Sequence, residues 1–173
     1  MIIKQKVVEL MNAQLISEFS ASAQYIAIAV YFDEEGLPDL AQLFYKQSEE
    51  ERMHAMMFVR FMLEAGAKPI IPSTPDLKNS FESAADAVQY ALKQELKVTD
   101  EINNLVTVAT AERDYASNQF LQWFVTEQVE EVDSMNTLLQ TIKHSAGNLL
   151  LVEEFVRRMP QMAAAGNGAA TAA

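Results

Sequence analysis

Glu51 and His54 stand three positions apart in a long helical pattern, a carboxylate and an imidazole at a spacing that could do chemistry. On a helix, residues three apart lie about 60° apart on one face, so both side chains can reach one point. The face they share is otherwise apolar. Phe44, Ala55 and Phe58 flank Glu51 at helical spacing, and Met57, Phe58 and Phe61 flank His54. An ionisable group on a buried stripe is costly unless it is paired or coordinated. The pattern therefore asks for partners, and the chain supplies several.

Glu18 sits among Met11, Leu15, Ala21 and Tyr25, and Glu95 among Val88, Leu92, Val98 and Ile102. Gln128 and Glu131, again three apart, sit among Leu121, Phe124, Val125, Val132 and Met135. Each of four long helical stretches thus carries a carboxylate on its apolar stripe. The spacing repeats as well: Glu18 to Glu51 and Glu95 to Gln128 are both intervals of 33 residues. One constant offset carries Glu18 to Glu95, Glu50 to Glu127, Glu51 to Gln128 and His54 to Glu131. Two similar hairpins packed with approximate two-fold symmetry would gather these groups at mid-bundle. Clustered carboxylates in an apolar core need either shifted pKa values or a bound cation. An oxygen-rich set with one imidazole suits iron or manganese, and bridging carboxylates would hold two divalent ions close together. The alternative for any single glutamate is a partly exposed residue at the edge of a stripe.

The elements that must position these groups follow from periodicity and breakers. Lys4 to Phe32 keeps an apolar helical stripe without Gly or Pro, and Asp33 to Gly36 breaks it, with Gly36 free to adopt a left-handed cap. Pro38 suits the first turn of a second helix, which runs to about Ala65. Ala67 to Glu82 holds Pro69, Pro72 and Pro75 and reads as an extended crossover, with Ile70 and Ile71 expected to pack against a surface. Ser83 and Asp86 resemble a capping box opening a third helix to about Ala111. Asp114 is the expected N-cap of a fourth, ending near Ser145, and a short fifth helix spans Leu149 to Met159, stopped by Pro160. Helices of about 28 residues are each roughly 42 Å long. Short, long and short connections give an all-α fold, a four-helix bundle with one long crossover. The domain is expected over residues 1–159, with a flexible Ala- and Gly-rich tail over 160–173. Leu149, Leu150, Leu151, Val152, Phe155 and Val156 make the fifth helix too apolar for a free surface, so it is expected to bury itself against other subunits, the alternative being that it folds onto its own bundle.

Composition narrows the chemistry further. At 173 residues, half of them apolar, the chain has the size of one domain with a substantial core. It has no Cys, which excludes disulfides, thiolate zinc sites and rubredoxin-type iron. The formal net charge of −11 disfavours nucleic acid and anionic membrane as partners and suits cations, though an acidic surface also serves solubility. The apolar stretches are interrupted too often to suggest a bilayer span, and Met1 to Glu9 lacks a signal-peptide core, so a cytoplasmic location is expected.

From about Lys4 to Arg158 the sequence resembles a bacterial non-haem ferritin. Glu18, Tyr25, Glu51, His54, Glu95, Gln128 and Glu131 match, with Gln24, Glu50, Trp123, Glu127 and Glu130 in the flanking runs. The resemblance implies a ferritin-like bundle, here with its fifth helix, and a ferroxidase centre oxidising Fe(II) with O₂. Glu18, Glu51 and His54 would hold the first iron. Glu51, Glu95 and Glu131 would hold the second, with Gln128 nearby. A third iron would bind Glu50, Glu127 and Glu130. Tyr25, and Trp123 with it, would be electron donors, and the ferric product would mineralise inside a homo-oligomeric shell of about 24 subunits. His144 is expected to serve as a helix-terminus residue.

Departures from relatives refine this. Bacterioferritins carry a second Glu-x-x-His and a haem-ligating Met directly after the first Glu, positions filled here by Gln128 to Glu131 and by Arg52, so no haem is expected. Animal ferritins place acidic residues at a three-fold pore, and the aligned positions here are Asn118 and Leu121. Two other functions compete: a soluble di-metal oxidase or peroxidase of the rubrerythrin sort, and a structural shell subunit without a working centre.

Overall fold

The computed structural model describes residues 2–73 and 75–170, with side-chain surroundings described as far as Met159. Five helices follow in order: α1 (Gln5–Glu34), α2 (Pro38–Glu64), α3 (Ala84–Ala111), α4 (Tyr115–His144) and α5 (Leu149–Ala170). Among the described residues there is no strand. α1 packs on α2 and on α3, and α3 packs on α4, so two antiparallel hairpins form the bundle.

The helix ends fall where the breakers stand. Gly36 and Gly66 take φ of 72° and 77°, the left-handed conformation that lets α1 and α2 close without a Cβ clash. Pro38 occupies the first turn of α2. The Asp86 N–H donates to Ser83 Oγ at 3.1 Å, while the Asp86 carboxylate accepts from the Glu82 N–H at 3.2 Å, so the cap of α3 closes one residue earlier than a capping box would. Asp114 Oδ1 accepts from the Ser117 N–H at 3.1 Å, and its other oxygen takes the Lys4 N–H at 2.7 Å. One buried carboxylate therefore ties the start of α4 to the start of α1.

Polar bonds hold the crossover along its length, and Phe81 packs its far end between Tyr31 and Tyr90. Gln24 donates to the Lys78 carbonyl at 2.7 Å and accepts from the Lys78 N–H at 2.9 Å, and Asn12 accepts from the Ile70 N–H at 2.7 Å. Ile70 and Ile71, expected to pack, are 63% and 62% exposed. Among the described residues of one subunit, nothing covers most of their surface.

α5 also departs from the sequence reading. Its helix continues beyond Pro160, where the periodicity ended it at Met159. The flexible tail expected over 160–173 lies outside the residues whose side chains are described. The helix packs on α2 and α4 of its own bundle through buried Val152 and Val156, leaving Leu150 and Leu151 on its open side. Glu153 fixes this orientation. Its two oxygens accept from the Asp39 and Leu40 N–H groups at 2.9 and 2.7 Å, placing a carboxylate on the otherwise unsatisfied N-terminus of α2.

The core has two halves. One gathers Tyr25, Ile28, Phe32, Phe44, Leu92, Met135 and Leu138, and the other Met11, Leu15, Phe58, Met62, Val98, Ile102 and Phe124. Between them lies a buried polar layer. α1 is long and apolar enough to cross a membrane by length and composition, against the sequence expectation, but its apolar side is core and carries buried Gln14, Glu18 and Gln24.

Candidate metal centre

Every helix of the bundle gives the polar layer at least one side chain. Glu18 comes from α1, Glu51 and His54 from α2, Glu95 from α3, Gln128 and Glu131 from α4. All six are buried, none more than 5% exposed. The i and i+3 spacing brings His54 Nδ1 to 3.4 Å from Glu51 Oε2, and the packing of α1 on α2 brings it to 3.8 Å from Glu18 Oε2. Tyr25 donates its hydroxyl to Glu95 across the bundle.

The electrostatics of the layer favour a cation. Burial pushes the Glu18 and Glu51 carboxyls well above the usual carboxylate range, and the neighbouring charges of Glu51 and Glu95 respectively push them further. Burial raises Glu95 too, against hydrogen bonds from Tyr25 and Gln128. Glu131 is pushed up to about 9, by burial first and then by the charge of Glu95. The Tyr25 phenol is raised well above its ordinary value by burial and by Glu95. Glu18 Oε2, Glu51 Oε1, Glu95 Oε2 and His54 Nε2 are buried without a hydrogen-bond partner among the described residues. Native interiors rarely leave such atoms unmatched. Buried, orphaned carboxylate oxygens in a layer with one imidazole are the kind of donor set a divalent ion requires.

Two groupings of ligand atoms within 4.8 Å of one another occur among the described residues. The first is Glu18, Glu51 and His54, the set expected for the first iron. The second is His54, Glu127 and Glu131, which differs from expectation. Glu51, Glu95 and Glu131 are spread more widely than that, and Glu50 and Glu130 are exposed on α2 and α4, outside either grouping. Glu127 stands at the rim of the layer, its carboxyl raised by partial burial. Trp123 is 39% exposed and sets its indole edge to the His54 ring at 5.4 Å. His144 lies in the last turn of α4. The positions aligned with the acidic pore, Asn118 and Leu121, are respectively half-buried and buried, and Asn118 bonds to Thr110.

Two supporting residues escaped the sequence reading. Buried Gln14 donates to Glu18 Oε1 at 2.8 Å, orienting that carboxylate. The Thr99 hydroxyl lies 2.9 Å from Gln128 Oε1 and 2.8 Å from the Glu95 carbonyl, bracing the amide against α3. Each stands four residues from a site carboxylate on its own helix, which is the signal that could have found them.

A four-helix bundle with a buried carboxylate and imidazole layer defines a class of proteins that bind metal ions between their helices. The comparisons make the class specific. A sequence model described as a ferritin-like domain matches residues 8–145, and the chain belongs to that family. It is 45% identical over 98% of its length to a Mycobacterium tuberculosis protein named Ferritin BfrB, covering 94% of that protein, which in another strain is named Bacterioferritin BfrB. It is 33% identical over 78% of its length to a bacterial non-heme ferritin of Staphylococcus aureus, covering 81% of it. Among solved structures it is similar to an open pore ferritin from Archaeoglobus fulgidus, with a TM-score of 0.87 and 31% identity over 90% of this chain and 96% of that one. The family binds iron and oxidises Fe(II), and iron storage is the function these relationships support.

Proposed function

We propose that this chain stores iron by oxidising Fe(II) with O₂ at the mid-bundle layer and passing the ferric product into a closed shell of about 24 copies. The observation that carries the reading is the layer itself: four buried carboxylates and one imidazole, with Glu18, Glu51 and Glu95 each holding an oxygen that has no hydrogen-bond partner among the described residues. Glu18, Glu51 and His54 Nδ1 hold the first Fe(II). Glu51 bridges to the second, which Glu95 and Glu131 hold, with Gln128 beside it. Four carboxylates balance the charge of two Fe(II) ions. Each ion gives an electron to O₂ on oxidation, and the added positive charge is no longer matched by the protein, which favours hydrolysis and release of the product. Tyr25, hydrogen-bonded to Glu95, and Trp123, edge-on to His54, stand where they can supply a further electron. Glu50, Glu127 and Glu130 line the way out of the layer as a third iron position.

The carboxyls that burial holds protonated lose their protons as the ions enter, so uptake strengthens as pH rises. Haem has no part in this reading. Arg52 stands where bacterioferritins have the haem-ligating Met, and Met53, one residue on, lies about 100° around the helix. The open side of α5, with Leu150 and Leu151, and the exposed Ile70 and Ile71 are the surfaces that subunit contacts would cover. The strongly negative chain acts in the cytoplasm without nucleic-acid or membrane partners.

Loading metal-depleted protein with Fe(II) in air, followed by sizing chromatography, tests the proposal. Storage requires iron well above about three per chain, more than a di-metal site and one neighbouring position can coordinate, in a particle many times the 19.3 kDa chain. Retention of about two per chain on a small oligomer would overturn storage and leave a di-iron oxidase.

A further inference from the structure

His54 is engaged on one side only. Its Nδ1 faces Glu51 and Glu18 at 3.4 and 3.8 Å, while Nε2 is buried and has no hydrogen-bond partner among the described residues. The ring is walled by Trp123 at 5.4 Å and Phe124 at 5.8 Å between centroids, both edge-on at 72° and 77°. Those aromatic groups offer Nε2 no oxygen. The carboxylate recorded against it is that of Glu127, whose Oε1 stands 4.0 Å away. A ring nitrogen of His54 also lies within 4.8 Å of a Glu131 oxygen, but the proposed centre uses Glu131 for the second iron.

We infer that Glu127 is a positioning residue for His54: its carboxylate accepts the Nε2–H when Nδ1 holds a metal ion. This rests on the reading of Glu18, Glu51 and His54 as the first iron position. A neutral imidazole that coordinates through Nδ1 carries its proton on Nε2. That N–H is then a buried donor, and a metal-bound histidine commonly gives it to a carboxylate, which fixes the ring and strengthens it as a ligand. Glu127 is suited to the task. It lies one helical turn after Trp123 on α4, so it shares the face that meets the ring. Its side chain is 28% exposed and can rotate, and closing 4.0 Å to hydrogen-bond length needs a movement of about 1 Å. A consequence follows for the third position. A cation that draws Glu127 outward takes the acceptor from His54, so filling the rim weakens the hold on the first iron.

Co²⁺ titrated into the metal-depleted, full-length protein, and followed by its visible absorption, tests this. The His54→Ala variant marks the part of the signal that needs the imidazole. Glu127→Ala is expected to weaken that part by about 10- to 100-fold, the cost usual for removing such a partner. Glu127→Gln, whose amide oxygen still accepts, is expected to bind close to the native protein. Glu49→Ala, which removes one exposed charge from α2, is expected to leave binding unchanged. Native binding in Glu127→Ala would overturn the inference, and so would an equal loss in Glu49→Ala, since charge alone would then explain it. Failure of the native protein to give any His54-dependent signal would instead overturn the first iron position.

Discussion

Replacing Glu131 with Gln keeps the size of the side chain and removes its ionisation, which makes the cost of the polar layer measurable. Glu131 is 5% exposed, and burial with the charges of Glu95, Glu50, Glu127 and Glu18 pushes its carboxyl up to about 9 from an ordinary 4.5. Below pH 4.5 the group is protonated whether the chain is folded or not, and ionisation costs nothing. Between 4.5 and 9 the folded chain keeps a proton that the unfolded chain releases, so stability falls as pH rises. Each pH unit removes about 1.4 kcal/mol, which amounts to about 3 kcal/mol by pH 7 and about 5 kcal/mol by pH 8. Glu131→Gln escapes this loss. Unfolding of the metal-depleted protein, native and variant, at pH 5 to 8 should show the variant's advantage growing with pH, and subunit contacts common to both cancel in the difference. Saturating Zn²⁺ should narrow the gap, because the ion neutralises the native carboxylate. A gap that stays flat from pH 5 to 8 would refute the reasoning.

Glu51→Ala removes the carboxylate proposed to bridge both irons; rapid Fe(II) oxidation should fall by at least about tenfold while sizing chromatography still shows the assembled particle. Dissociated subunits would point to a structural role for the residue. Glu153→Ala deprives the α2 N-terminus of two hydrogen bonds and should cost about 1–3 kcal/mol. Faster amide exchange confined to α5 and the first turn of α2 would register the undocking, and unchanged exchange there would contradict it.

Much of this molecule is legible in its sequence, because the signals involved are local. Helix periodicity, the breakers at Gly36, Pro38 and Gly66, and the caps at Ser83 and Asp114 set the helices to within one or two residues at most ends. The repeated spacing of Glu18, Glu51 and His54 with Glu95, Gln128 and Glu131 places one polar layer at mid-bundle, since residues at helical spacing on apolar stripes share a depth when hairpins pack. The end of α5 is an exception: Pro160 removes one helical hydrogen bond, yet the helix continues past it.

Tertiary structure decided what faces what across the helices. Glu127 groups with His54 and Glu131, apart from Glu50 and Glu130, because the rotation of α4 against α2 turns Glu127 toward the ring and leaves the others outside. Thr99 reaches Gln128 only because α3 lies against α4. α5 turns Val152 and Val156 inward and Leu150 and Leu151 outward, although all four are apolar, because Glu153 locks it to the free N–H groups of α2. Ile70 and Ile71 stay exposed because Gln24 and Asn12 fix the crossover through its backbone. Periodicity tells which side of a helix is buried, but the partner of each buried group depends on helix rotation and on contacts between residues far apart in the chain. Only the packed bundle sets those.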